Sequence, residues 1–442
     1  MVFSDTIVAL SSGRLPSGLA VIRASGPHVR FVVETIAGAA PEPRIAVYRA
    51  LKRRDGSVLD KGLVLFFPGP NSFTGEDVVE FHVHGGRAVV AAMLEELTSL
   101  DGMRHAEQGE FTKRAFLNGK LDLTETEALA DLINAETEAQ RRFAVLNAGG
   151  AQSELYGEWR RRLIHARAMV EADIDFADEE DVPGSVADTI WIDVRTLLGE
   201  IAQHVEGFKA AEIIREGFDV VILGAPNAGK SSLLNALAKR EAAIVTDEAG
   251  TTRDLVEIAL DIRGVRVRVT DTAGIRDDAG AVETIGIERA RARASTADLV
   301  LMLEDMQDPV TFEAGVVAAP SLRIGTKSDL VGASSRQRGK AYDLVVSTSE
   351  GAGLALLLAE IGRRAADAAG GAGDILPSRL RHVELLRQTM GYMGEAVNAA
   401  GAPLELRSEA LRLAGHSLGR IAGTVDVEDL LDVIFSQFCI GK

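Results

Sequence analysis

One segment restricts this chain more than any other: Gly224-Ala225-Pro226-Asn227-Ala228-Gly229-Lys230-Ser231, with glycines, a lysine and a hydroxyl at fixed offsets. Val220-Val221-Ile222-Leu223 runs directly before it, short and wholly apolar, as a strand buried on both faces must be. After it, Ser232 to Ala238 carries the apolar spacing of a helix. Strand, glycine-rich turn and helix in that order converge backbone N–H groups on phosphate oxygens. Lys230 adds charge for the β- and γ-phosphates, and the Ser231 hydroxyl is a ligand for Mg²⁺. Asn227, Ala228, Gly229 and Ser232 complete the phosphate-facing set.

The rest of a nucleotide switch follows at the right intervals. Gly250-Thr251-Thr252-Arg253-Asp254 offers Thr252 as a second hydroxyl for Mg²⁺. Alternation through Val256, Ile258, Leu260 and Ile262, a turn at Arg263-Gly264, and alternation again through Val265, Val267 and Val269 predict a hairpin. It ends at Asp271-Thr272-Ala273-Gly274, which sets a carboxylate near the metal and the Gly274 N–H near the γ-phosphate. Leu299–Leu303 and Leu322–Gly325 supply further buried strands, so a mostly parallel, doubly wound sheet is expected.

Thr326-Lys327-Ser328-Asp329 stands where an Asn-Lys-x-Asp motif reads guanine: Asp329 accepts from the base and the Lys327 stem covers the ring. Thr326 replaces the usual Asn and removes an amide that could brace the phosphate loop, which predicts weaker binding by about 1 kcal/mol. Ser347-Thr348-Ser349 occupies the last guanine-contacting loop. Ile275, after Asp-x-x-Gly, cannot polarise water, so hydrolysis must draw on another group.

At 442 residues the chain is long for one core, and several folding units are expected. Four segments divide it: an α+β part over 1–118, helices over 119–216, the nucleotide domain over 217–374, and helices again over 375–442. In the first part, strands are expected at Leu19–Arg23, Gly62–Phe67 and Val78–His84, with one helix near Arg87–Leu100. Thr124-x-x-Glu127 reads as a capping box that opens a long helix through Leu129, Ile133, Phe143 and Leu146. A stripe from Leu155 through Trp159, Leu163, Ala166 and Val170 predicts a second helix, and another is expected from Asp188 to Ala211. Ala365–Gly373 reads as a linker, and Val427, Leu430, Leu431, Ile434 and Phe438 share one helix face. The flanking helical segments read as one domain split by the insertion, because neither alone offers a full core.

A net charge of −17 means that any nucleic-acid contact must use a local basic surface. The single cysteine, Cys439, forbids an intramolecular disulfide and fits a reducing setting. Met1–Asp5 opens with no basic segment leading into an apolar one, so a soluble cytoplasmic protein is expected.

Three further signatures complete a resemblance: Phe73-Thr74-Gly75-Glu76-Asp77-Val78-Val79-Glu80 with His84-Gly85-Gly86; Gly109-Glu110-Phe111-Thr112-Lys113-Arg114 through Leu123; and Phe438-Cys439-Ile440-Gly441-Lys442. With the switch motifs, the chain resembles the MnmE family of tRNA-modification GTPases from Asp5 to its last residue, with a shortening near Ser11–Ser17. The resemblance implies a Ras-like P-loop G domain inserted into a helical domain, behind an N-terminal α+β domain that binds a tetrahydrofolate and dimerises. It implies a K⁺-stimulated GTPase, with K⁺ held by Asn227, Thr246, Glu248 and Thr251, and Glu283 serving hydrolysis where Ile275 cannot. Arg23, Glu80, Lys120 and Lys442 match the contacts of a 5-formyl-tetrahydrofolate, and Cys439 is a candidate for the modification chemistry. Glu80, His82 and His84 share a strand face, but Glu80 goes to the folate on this reading and no metal is expected there. A flavin-dependent partner, MnmG, and tRNA are implied, with C5 of the wobble uridine at position 34 as the target and an aminomethyl-type group as the product. The competing reading is a ribosome-assembly switch that binds RNA and times its release.

Overall fold

The computed structural model describes residues 3–175, 185–240, 243–244, 256–271, 292–310, 319–331, 341–371, 373–399, 401–425, 431, 434–435, 438 and 440–441. Contacts divide the chain into two compact units, one of 1–130, 147–194 and 391–442, the other of 131–146 and 195–390.

The first unit contains a six-stranded sheet of order β3-β4-β5-β2-β1-β6: β1 Thr6–Leu10, β2 Ser17–Ser25, β3 Val47–Lys52, β4 Val58–Phe67, β5 Val78–Gly85 and β6 Met103–His105. Period-2 alternation buries Ile22, Val64, Val79, Phe81 and Val83 on one side, against the helices α1 Val29–Ala37 and α2 Arg87–Thr98. Two helices here were not expected from sequence. In α1, Val29, Val32, Val33 and Ile36 are β-branched and favour strand locally, yet their spacing buries one helical face. The other, α3 Glu110–Leu117, is short and held by its ion pairs.

The expected long helix after Leu121 is two: α4 Leu123–Ile133 and α5 Glu138–Ala148. The true capping box lies two residues earlier than Thr124-x-x-Glu127. The Asp122 side chain accepts from the Glu125 N–H at 2.9 Å, and Glu125 accepts from the Asp122 N–H at 2.8 Å. Thr124 and Glu127 are buried inside the helix instead. The break before α5 is fixed by the Gln140 Oε1, which accepts the N–H groups of Glu136 and Thr137 at 2.9 and 3.1 Å. Next come α6 Ala151–Asp175, burying Trp159, Leu163, Ala166 and Val170 as expected, and α7 Ser185–Glu206. The single helix expected to Ala211 is cut at Gly207, where a Cβ would lie 2.6 Å from Leu376, and α8 Phe208–Glu216 follows.

The second unit holds a seven-stranded sheet, order β13-β12-β11-β7-β10-β9-β8. Its central strand, β7 Phe218–Gly224, is buried throughout and pairs in parallel with β10 Val265–Asp271 and β11 Leu299–Asp305. β9 Val256–Ile262 is antiparallel to β10, and the connecting turn uses positive φ at Arg263 (56°) and Gly264 (81°), as the hairpin reading requires. β8 Ala243–Ile244, β12 Ser321–Thr326 and β13 Leu344–Val345 complete the sheet. Helices α9 Lys230–Arg240 and α10 Leu354–Ala369 pack on it. Ala365–Gly373 is therefore not a linker along its whole length. Alanine favours helix, and Ala365 and Ala369 bury on one face of α10 before Gly370 ends it.

Helices α11 Leu380–Asn398 and α12 Leu404–Ala422 follow, α12 packing on α6 within the first unit. The C-terminal apolar face is borne out at Leu431, Ile434 and Phe438, which bury with Leu123 and Ala130; Val427 and Leu430 lie outside the described residues. Among the described residues, no helix is long and apolar enough to cross a membrane.

Candidate functional site

In a doubly wound sheet, ligands sit beyond the carboxyl ends of the parallel strands. Gly224, Asp271, Asp305 and Thr326 are the carboxyl-terminal residues of β7, β10, β11 and β12. The sheet thus carries motifs far apart in sequence to one rim.

At the centre, a Cβ on Gly224 would lie 2.6 Å from the Leu303 carbonyl, so only glycine lets β7 end against β11. The turn that follows takes positive φ at Asn227 (62°) and Gly229 (91°) before α9 begins at Lys230. The Lys230 ammonium donates to the Gly224 and Ala225 carbonyls at 2.8 and 2.9 Å. It is thereby held over the loop whose phosphate ligand it would meet. The Ser231 hydroxyl donates to Asp271 Oδ2 at 2.7 Å, with Asp271 buried. A hydroxyl and a carboxylate meeting at a strand end form the hard-oxygen pair that Mg²⁺ prefers. Ser232 is exposed on the first turn of α9.

Thr326 corrects one expectation. Its hydroxyl donates to the Ala228 carbonyl of the phosphate loop at 2.8 Å and lies 3.2 Å from the Glu304 carbonyl. The brace expected to vanish with the asparagine amide is made by the threonine hydroxyl, because β12 runs close enough for a short side chain to reach. Lys327 adopts φ 57° and ψ 38°, and its ammonium pairs with Asp305 at 2.6 Å. Asp329 accepts from the Ser349 hydroxyl at 2.7 Å, and Ser349 lies 2.9 Å from the Ser347 hydroxyl. Hydrogen bonds from Ser347 and Ser349 hold the Asp329 carboxyl below its usual range, so it is ionised and ready to accept. Thr348, half-buried, lies between them in sequence. The two segments expected to read guanine are thus brought together. Thr246, Glu248, Thr251, Thr252, Gly274 and Glu283 lie outside the described residues.

A second cluster lies on the N-terminal sheet. Arg23 and Glu80 stand opposite each other on β2 and β5, and the guanidinium binds the carboxylate at 3.0 and 2.9 Å. Arg23 also lies 5.7 Å from the Phe73 ring centroid, and His82 Nε2 is 3.3 Å from the Glu80 carboxylate. His84 is engaged with Asp60 instead, at 2.9 Å. The exposed Lys120 passes close to Gly75 in the loop that carries Phe73. Ile440 pairs with Gln108, and the Ser11 hydroxyl donates to the Gly441 carbonyl at 2.7 Å, which brings the chain end to the edge of β1. Cys439 and Lys442 lie outside the described residues.

Sequence reasoning missed what supports this cluster. Arg114, 1% exposed, pairs with Asp5, Glu76 and Glu110 at 2.8, 3.2 and 3.1 Å, and Arg104 joins Asp5 and Glu110. Burial would raise the Glu110 and Asp5 carboxyls, but the Arg104 and Arg114 contacts outweigh it and hold both below their ordinary values. The i,i+4 spacing of Glu110 and Arg114 was the available signal. Asp305, the second of two consecutive acids after an apolar run, offered none.

Known proteins resemble this chain along its whole length. The MnmE helical domain family matches residues 123–439, and the family described as GTP-binding protein TrmE N-terminus matches residues 6–120. A tRNA modification GTPase MnmE of Mesorhizobium japonicum is 68% identical, covering 100% of this chain and 100% of its own. Proteins of the same description from Brucella anthropi and a Chelativorans species are 57% and 56% identical, each across 99% of this chain and 98% of theirs.

Proposed function

This chain belongs to the MnmE family of tRNA modification GTPases, and from that premise we propose how its GTP hydrolysis is organised and what it serves. The observation that carries the reading is the meeting, at one sheet rim, of Lys230, the Ser231–Asp271 pair and the Thr326–Asp329 loop. Backbone N–H groups from Gly224 to Ser231 cradle the phosphates, and Lys230 exchanges its two carbonyl acceptors for phosphate oxygens. Ser231 and Asp271, with Thr252, would hold Mg²⁺, which neutralises charge on the transferred phosphoryl group. Asn227, Thr246, Glu248 and Thr251 would hold K⁺, and Glu283 orients the attacking water that Ile275 cannot. Asp329 selects guanine, with Lys327 along the ring and Ser347, Thr348 and Ser349 closing the base pocket.

The N-terminal segment to residue 118 binds a tetrahydrofolate through Arg23 and Glu80, with Lys120 and Lys442 completing the site from outside that segment. The Arg23–Glu80 pair fits this ligand: the acid matches pterin donors and the bases match glutamate carboxylates. The same sheet supports homodimerisation. Its face away from α1 and α2 exposes Leu19, Tyr48 and Leu63 at 55, 66 and 39%, apolar side chains that a second copy would cover. GTP turnover in the inserted domain, over 217–374, drives modification of C5 of uridine 34 with a flavin-dependent partner in the cytoplasm, with Cys439 near the chemistry. Mass spectrometry of wobble-uridine nucleosides from cells with and without the protein tests this. Loss of the modified nucleoside is expected, and unaltered nucleosides would favour a ribosome-assembly switch. Equal GTP turnover in KCl and NaCl would remove the K⁺ assignment.

A further inference from the structure

We propose that Asp305 is the positioning residue for guanine-base contact, acting through Lys327. The inference rests on Lys327 and Asp329 being the base-reading residues, as argued above. Asp305 closes β11 directly beside Thr326 in the parallel pairing, so the residue after Thr326 emerges at its carboxylate. Its two oxygens have separate work. Oδ1 accepts the Gln307 N–H at 2.9 Å, which fixes the carboxylate plane, and Oδ2 takes the Lys327 ammonium at 2.6 Å. The other end of Lys327 is fixed as well. Its backbone sits at φ 57° and ψ 38°, a conformation that non-glycine residues seldom adopt, directly after Thr326, which is tied to the phosphate loop.

A lysine held at both its Cα and its ammonium presents its four methylenes as a prearranged apolar surface. Without the carboxylate, the ammonium would follow water and the stem would sample many rotamers, an entropy that base binding would then have to overcome. Asp305 therefore prearranges the surface on which the flat face of the base rests, while Asp329 reads the base edge. An effect on stacking is blind to the edge: it weakens GDP, GTP and inosine nucleotides together. An effect at Asp329 changes the preference among bases.

The test uses full-length protein with Asp305→Asn, Lys327→Ala, the double variant and Asp329→Asn, titrated with fluorescent GDP and IDP and assayed for turnover at saturating GTP. Asp305→Asn is expected to weaken both nucleotides by about five- to tenfold, with kcat within about twofold and an unchanged melting temperature. In the Lys327→Ala background the same change is expected to have no further effect, because its only route is gone. Asp305→Asn affinity equal to the unmodified protein, or additive losses in the double variant, overturns the proposal. Should Asp305→Asn alone unfold the chain, Lys327→Met decides: its apolar stem without the charge must lose the same affinity, and full retention refutes the role. If Asp329→Asn leaves the preference for guanine untouched, the base-site reading itself fails; if that preference shifts while Asp305→Asn does nothing, only the present inference fails.

Discussion

Replacing Thr326 by valine isolates one hydrogen bond between the end of β12 and the loop after β7. Thr326 is 2% exposed, and its hydroxyl proton goes to the Ala228 carbonyl at 2.8 Å rather than to Glu304 at 3.2 Å, since a hydroxyl has one proton to give. Valine keeps the branched shape and loses only that donor. A buried hydrogen bond of this kind is worth about 1 kcal/mol net, rising toward about 2 kcal/mol when the acceptor is left dry. If the bond holds the loop in its phosphate-binding form, that energy comes out of nucleotide affinity, and about 1.4 kcal/mol is a tenfold change. Thr326→Val is therefore expected to weaken GDP and GTP about five- to tenfold in a fluorescent-nucleotide titration, with a melting temperature lower by a few degrees. Thr326→Ser retains the donor and is expected to stay within about twofold. Valine binding as tightly as threonine, or serine and valine impaired alike, would refute the reasoning, because the methyl rather than the hydroxyl would then carry the effect.

Lys230→Ala is expected to lower GTP turnover by at least about a hundredfold, read as phosphate release, since no other described side chain in the loop brings positive charge to the phosphates. Arg114→Met leaves Glu76 without its cation and Asp5 and Glu110 with Arg104 alone, and should cost about 3 kcal/mol, visible as a drop in melting temperature. Burial, helped by the neighbouring His382, lowers the pKa of His204 from 6.5 to about 4. Below pH 6.5 the unfolded chain gains a proton that the folded one refuses until about pH 4, so stability should fall through that window by up to roughly 3 kcal/mol. His204→Gln should flatten that part of a stability-against-pH profile measured by chemical denaturation.

What the sequence determined on its own is whatever depends on local geometry. Gly229 is dictated by positive φ, the β9–β10 turn by Arg263-Gly264, and the buried β7 by four consecutive apolar residues. Each can be read within one turn or strand, because backbone sterics and burial period act over a few residues. Boundaries that rested on competing local signals were misplaced. Asp122 outbid Thr124 as the cap because its carboxylate reached the Glu125 N–H, and Ala365–Ala369 joined a helix because a core face was there to receive them. Tertiary structure alone decided the partners of the polar side chains. Arg23 finds Glu80 across 57 positions because β2 and β5 pair in register there, and Thr326 finds Ala228 across 98 because β12 ends at the rim where the loop after β7 turns. A charged or hydroxyl side chain can bond with any complement that comes near, so its identity limits the chemistry of the contact, while the sheet register chooses the atom it meets.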